Sequence, residues 1–190
     1  IKNLLLLLGV IIGCVSTTSV YAQGATLTMN KSGYFWTRTS PSESAHSWYT
    51  QDYSFGDRVA YCIEPNVPEG TNNYTVGDMS NTNYSNEQKL KMLLIAYYGY
   101  DYPSHQTLNY RLATQALLWE HTGNYSVSYS TQRWGAGTNI DVSVERNTIM
   151  NLVNSHYVKP SFNGQTITMK VGDKITLTDT NNVLSNYDVI

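Results

Sequence analysis

The sequence predicts an α+β fold, and three observations predict it. Residues 24–65 alternate in hydrophobicity and are rich in β-forming side chains. Residues 85–156 carry three helical periods, each with a start or stop signal. Residues 167–177 return to strict alternation. Strand, three helices, then strand reads as a sheet with a three-helix insertion between its halves.

Each element has its own warrant. Thr26-Leu27-Thr28-Met29 alternates, Tyr34-Phe35-Trp36-Thr37 favours a strand, and residues 58–63 run extended into Pro65. Residues 66–83 are rich in Asn, Gly, Ser and Thr and read as a turn and loop. Ser85 and Gln88 form a capping box, ahead of Leu90, Leu93, Leu94 and Tyr97 on one face, with Gly99 as the stop. Ser104 is the expected cap of a second helix ending at Gly123. A third is expected over residues 142–155, with Ile149, Leu152, Val153 and His156 on one face and Pro160 beyond. Ile167, Met169 and Val171, a Gly172-Asp173 turn, then Ile175 and Leu177 read as a hairpin.

The N-terminus sets the compartment. Lys2 precedes an apolar run over residues 4–15, too short to span a bilayer but suited to a signal peptide. Val20-Tyr21-Ala22 supplies a cleavage site before Gln23, so residues 1–22 are the expected leader and 23–190 the exported domain. Ile11-Ile12-Gly13-Cys14 offers a competing lipoprotein reading, with lipidation at Cys14. No second apolar segment follows, so the mature chain is expected to have no membrane span. A first residue other than Met and a last stretch that breaks off in mid-pattern lead us to expect the N-terminal part of a longer surface protein, monomeric within it. Charged residues are 14% of the chain, the net charge is −2, and no basic patch is present, which argues against nucleic acid as a partner. Sixteen tyrosines with many Asn, Ser and Thr suit an extracellular binding surface.

Two residues resist a purely structural account. Without the leader the chain keeps a single cysteine, Cys62, in Tyr61-Cys62-Ile63-Glu64-Pro65. A cysteine with no partner in an exported chain is either a small buried hydrophobe or a residue kept for its reactivity. Gln115 is the second. At about 100° per residue, Leu108, Leu112, Gln115 and Trp119 fall within about 60° of one another, so the amide lies on the apolar face. An unpaired buried carboxamide costs roughly 1–3 kcal/mol, so Gln115 must have partners. It either hydrogen-bonds a nearby loop backbone or organises a reactive site. A cysteine hydrolase or transpeptidase would need a histidine base. His46, His105, His121 and His156 lie in no peptidase-like context, and His121 and His156 read as helix C-terminal residues. One cysteine and scattered histidines make no metal-ligand set, Gly135-Ala136-Gly137 is a surface loop, and no cofactor is expected.

Tyr61-Cys62-Ile63-Glu64-Pro65, followed by Thr114-Gln115-Ala116-Leu117-Leu118-Trp119, resembles the thioester domains of Gram-positive surface adhesins. The tail over residues 175–187 is also similar, so the resemblance spans roughly residues 26–190. It implies a β-sandwich-like body with a helical insertion, and an internal thioester between Cys62 and a glutamine. It further implies that the acyl group is captured by a lysine amine of a host extracellular protein. Tyr61, Glu64, Thr114, Gln115 and Trp119 would then form the pocket motif, and the protein would be secreted and wall-anchored. In the family the bond-forming glutamine lies near the C-terminal end of the domain, on a hydrophobic-flanked strand. Gln165 follows Asn163-Gly164 and fits that pattern poorly. The donor is therefore expected beyond Ile190, with Gln115 as a supporting residue, while Gln115 and Gln165 stay open as partners within the chain. The alternatives are a non-covalent protein- or glycan-binding module and a cysteine hydrolase or transpeptidase.

Overall fold

The computed structural model describes residues 24–65, 73–75 and 79–186. The expected leader, Cys14 and most of the loop after Pro65 lie outside the described residues. The mixed α+β class is as expected. Strand β1 (Gly24–Ser40) pairs antiparallel with β2 (Glu43–Phe55), and β2 with the short β3 (Arg58–Ala60). The β1–β2 register shifts between Lys31 and Phe35, where Gly33 takes a φ of 87° that a side chain would resist. A three-residue strand, β4 (Asn73–Thr75), pairs with the start of β1 inside the stretch read as loop. The open edge of β1 offers hydrogen bonds that even a polar segment can take up.

Helix α1 (Asn86–Tyr97) starts with the expected capping box. Gln88 N–H donates to Ser85 Oγ at 3.2 Å and Ser85 N–H to Gln88 Oε1 at 2.9 Å. Helix α2 (Leu108–Gly123) ends where expected but starts later. Its cap is Thr107, whose hydroxyl accepts from Tyr110 N–H. Ser104 instead takes a φ of 70° in the preceding turn. That turn is fixed by His105, whose Nδ1 lies 2.9 Å from the Tyr98 carbonyl and 3.2 Å from that of Gly99, so the chain is still turning at the position proposed as a cap. Two strands unseen in the sequence follow, β5 (Ser126–Ser130) and β6 (Asn139–Ile140), and complete the order β3-β2-β1-β5-β6. Helix α3 (Ser143–Ser155) then runs as expected, with Ile149 and Val153 buried.

The core lies between the sheet and α2. Ala113, Thr114 and Ala116 are fully buried, and α2 packs against α1, α3 and β5. Tyr129 of β5 is nearly fully enclosed, with its hydroxyl donating to the Leu112 carbonyl at 2.8 Å. Small residues on this face of α2 bring the helix backbone close enough to the sheet for that bond to form.

The expected hairpin over 167–177 is corrected. Its turn is present: Asp173 N–H donates to the Lys170 carbonyl at 3.0 Å and Lys170 N–H to Asp173 Oδ2 at 2.8 Å. Its flanks are not strands. Ile167, Met169, Val171, Ile175 and Leu177 are all exposed, Val171 completely. Alternation makes a strand only where a neighbour supplies the ladder and a core takes the apolar face, and the described residues supply neither here. Behind the arm, Asp179 gathers the chain, accepting from the N–H groups of Ser161, Asn181 and Val183 at 2.7–3.0 Å.

Candidate functional site

β3 stops at Ala60, so Tyr61, Cys62 and Ile63 lie outside any ladder, and their backbone groups need partners from elsewhere. Side chains supply them. Gln115 faces Cys62 with its whole amide: Cys62 N–H donates to Gln115 Oε1 at 3.0 Å, and Gln115 Nε2 donates to the Cys62 carbonyl at 2.7 Å. One carboxamide thus mimics a strand neighbour for one residue. The Ile63 carbonyl accepts from the Tyr84 hydroxyl at 3.2 Å. The polar residue on the apolar face of α2 has its partner, and that partner is the cysteine.

Cys62 is half-buried, carries a thiol rather than a disulfide, and packs with Tyr61 and Ile63 against the core. A small pocket next to Tyr61 is lined by Tyr61, Gln115 and Trp119, together with Trp36, Gln51, Tyr129 and the charged Asp52 and Arg111. Trp119 is buried and meets Trp36 edge-on, with ring centroids 5.3 Å apart. Thr114, one residue before Gln115, donates to the Tyr110 carbonyl at 2.7 Å, and its side chain leaves no room for a Cβ at Gly99. That close contact seats α2 against the end of α1. Burial pushes the Tyr61 phenol well above its ordinary pKa, so it stays protonated and neutral. Glu64 is exposed. The wall of that pocket is therefore largely aromatic, with the Arg111–Asp52 ion pair on its polar side.

Gln165 stands apart from this arrangement. It is exposed in the loop after α3, and its Nε2 donates to the Ser161 carbonyl at 3.3 Å. His46 is exposed on β2, and the other three histidines are engaged at other points. His105 bonds the turn before α2 and stacks on Tyr110 at 3.7 Å, His121 Nε2 lies 3.2 Å from the Gln88 carbonyl, and His156 Nδ1 lies 2.8 Å from the Tyr98 hydroxyl. Burial lowers the pKa of His121 and His156, favouring neutral rings where a helix terminus would favour charged ones.

Two contributors were missed in the sequence. Arg111, one turn before Gln115 on α2, donates to the Tyr53 carbonyl at 2.8 Å and pairs with Asp52 at 2.9 Å, tying the helix to β2 beside the site. The i, i+4 spacing to Gln115 was the available signal. Tyr84 sits directly before the N-cap Ser85, a position that commonly packs an apolar residue against the helix.

A family model for the thioester domain matches residues 59–155, from β3 to the end of α3, a little over half of the chain. No curated protein and no solved structure matches the chain.

Proposed function

Starting from the chain's membership of the thioester domain family, a family of thioester-based covalent attachment modules in adhesins, we propose that Cys62 is the thiol of an internal thioester. The Cys62 sulfur attacks the side-chain carbonyl carbon of a glutamine. The C–N bond breaks as the C–S bond forms, and ammonia leaves with the thiol proton. A lysine amine of a host extracellular protein then attacks the same carbon, the C–S bond breaks, and the proton released by the amine returns to Cys62. The products are an isopeptide-type amide and a thiol, so each molecule reacts once. No helix of the described residues is long and apolar enough to cross a membrane. Export and attachment to a Gram-positive cell surface belong to this same proposal.

The observation that carries it is the pairing of Gln115 with both backbone polar groups of Cys62. Holding the cysteine peptide from both ends fixes the direction of its side chain, which is what an intramolecular acyl transfer needs. In this reading the aromatic side chains of Tyr61, Trp36 and Trp119, which line a pocket together with Gln115, limit the access of water to the acyl group. In this reading Gln115 supports the site. Its amide is engaged by Cys62, as that of Gln165 is by the Ser161 carbonyl. Intact mass of the complete domain tests the proposal. It should fall one ammonia short of the sequence mass, and Cys62→Ala should restore the difference. Full mass with an alkylatable thiol would reject it.

A second reading, a non-covalent protein- or glycan-binding module, draws on a different patch. Trp48 and Trp134 are exposed, Arg133 lies 4.7 Å and 5.4 Å from their rings, and Trp134 holds a φ of 63° unusual for a bulky residue. Under that reading Cys62→Ala leaves binding intact, and complexes separate in denaturing electrophoresis.

A further inference from the structure

Tyr84 lies outside both sequence motifs, yet it touches the residue after Cys62. Its hydroxyl donates to the Ile63 carbonyl at 3.2 Å, across 21 positions of sequence. The ring is half-buried against the core, next to Cys62, Glu64 and Thr122. Its position is well anchored. Tyr84 immediately precedes the capping box of α1, and the first turn of α1 is tied to the last turn of α2 by His121 on the Gln88 carbonyl.

We infer that Tyr84 is a positioning residue for Cys62, holding the Ile63 carbonyl while Gln115 holds Cys62 itself, so that three side-chain hydrogen bonds, two from α2 and one from the residue before the cap of α1, replace the missing ladder. The inference rests on the thioester reading for its purpose, but its consequence concerns the thiol directly. A carbonyl oxygen carries partial negative charge that works against a nearby thiolate, and the Tyr84 phenol bonded to the Ile63 carbonyl lies within electrostatic range of Cys62. A phenol proton on that oxygen offsets part of the charge, and the thiolate is the nucleophile. Burial first, and then the negative charges of Glu64 and Cys62, raise the phenol's pKa. Tyr84 therefore keeps its proton while the thiol titrates.

The test is the rate of Cys62 alkylation by iodoacetamide against pH, after hydroxylamine has cleaved any thioester and been removed, in the chain and in its Tyr84→Phe and Thr122→Val variants. Tyr84→Phe keeps the ring and removes only the donor. Its alkylation midpoint should move up by about half a pH unit, roughly a threefold loss of thiolate at neutral pH. Thr122→Val, which removes a neighbour of the phenol without touching Ile63, should leave the midpoint in place. An unchanged midpoint in Tyr84→Phe, an equal shift in Thr122→Val, or a Cys62 that iodoacetamide reaches in none of the three overturns the inference. Because this experiment reads the thiol and the mass deficit reads the thioester, each idea can fail without the other.

Discussion

Two extended segments of this protein lie outside the sheet, and their fates differ. Residues 61–63 follow the end of β3 and are held by Gln115 and Tyr84, with Tyr61, Cys62 and Ile63 packed on the core. Residues 165–178 have the stronger strand pattern, yet apart from their turn they stand in solvent with every apolar side chain of the alternation exposed. An extended backbone is thus ordered by whatever satisfies its polar groups, and long-range side chains can do this better than local alternation. At Cys62 the use of side chains has a functional benefit. A ladder would bury the residue inside a sheet, whereas side-chain anchors hold its backbone and leave Cys62 half-buried.

The contrast can be broken most severely from beneath the first segment. Trp119→Ala removes the ring that packs under Trp36 and lines the pocket, and should cost about 4 kcal/mol in urea unfolding, with a fall in the midpoint at unchanged slope. Gln115→Ala comes next. It strands the Cys62 N–H and carbonyl together and should cost about 2–3 kcal/mol, while the Cys62 amide loses its protection from hydrogen exchange.

The loop behind the second segment gives a smaller, pH-dependent effect. Burial raises the pKa of Asp179, but N–H donation from Ser161, Val183 and Asn181 outweighs it and leaves the carboxyl below its ordinary range. A carboxylate whose pKa is lower when folded stabilises above its unfolded pKa and loses that contribution as pH falls through the folded value. Exchange protection of the Ser161, Asn181 and Val183 amides should therefore persist through mild acid and collapse only in strong acid, and Asp179→Asn should weaken it at neutral pH. The smallest effect belongs to the arm itself. Val171→Lys should change unfolding free energy by less than about 0.5 kcal/mol, since that side chain touches nothing it could lose. A larger loss would mean that the exposed arm is packed in solution, and the contrast would fail.

Much of this was legible in the chain. The capping box of α1, the end of α2 at Gly123, the span of α3 and the strands before Ala60 follow from local chemistry, because caps, glycines and alternation act over a few residues. Cys62 and Gln115 also announced themselves as residues in the wrong setting. Other features were not legible. β5 and β6 are too short to show a pattern, and Ser104 looks like a cap until His105 fixes the turn around it.

The sequence by itself determined the helical frame, the position of Gln115 on the buried face of α2 and the isolation of Cys62 as a thiol. Only the tertiary structure decided that these two residues meet, across 53 positions, through both ends of one amide, and that Tyr84 joins them from the start of α1. The reason is physical. Periodicity encodes which face of an element turns inward, but the partner of a buried polar group is chosen by packing, which brings together residues that no local pattern connects.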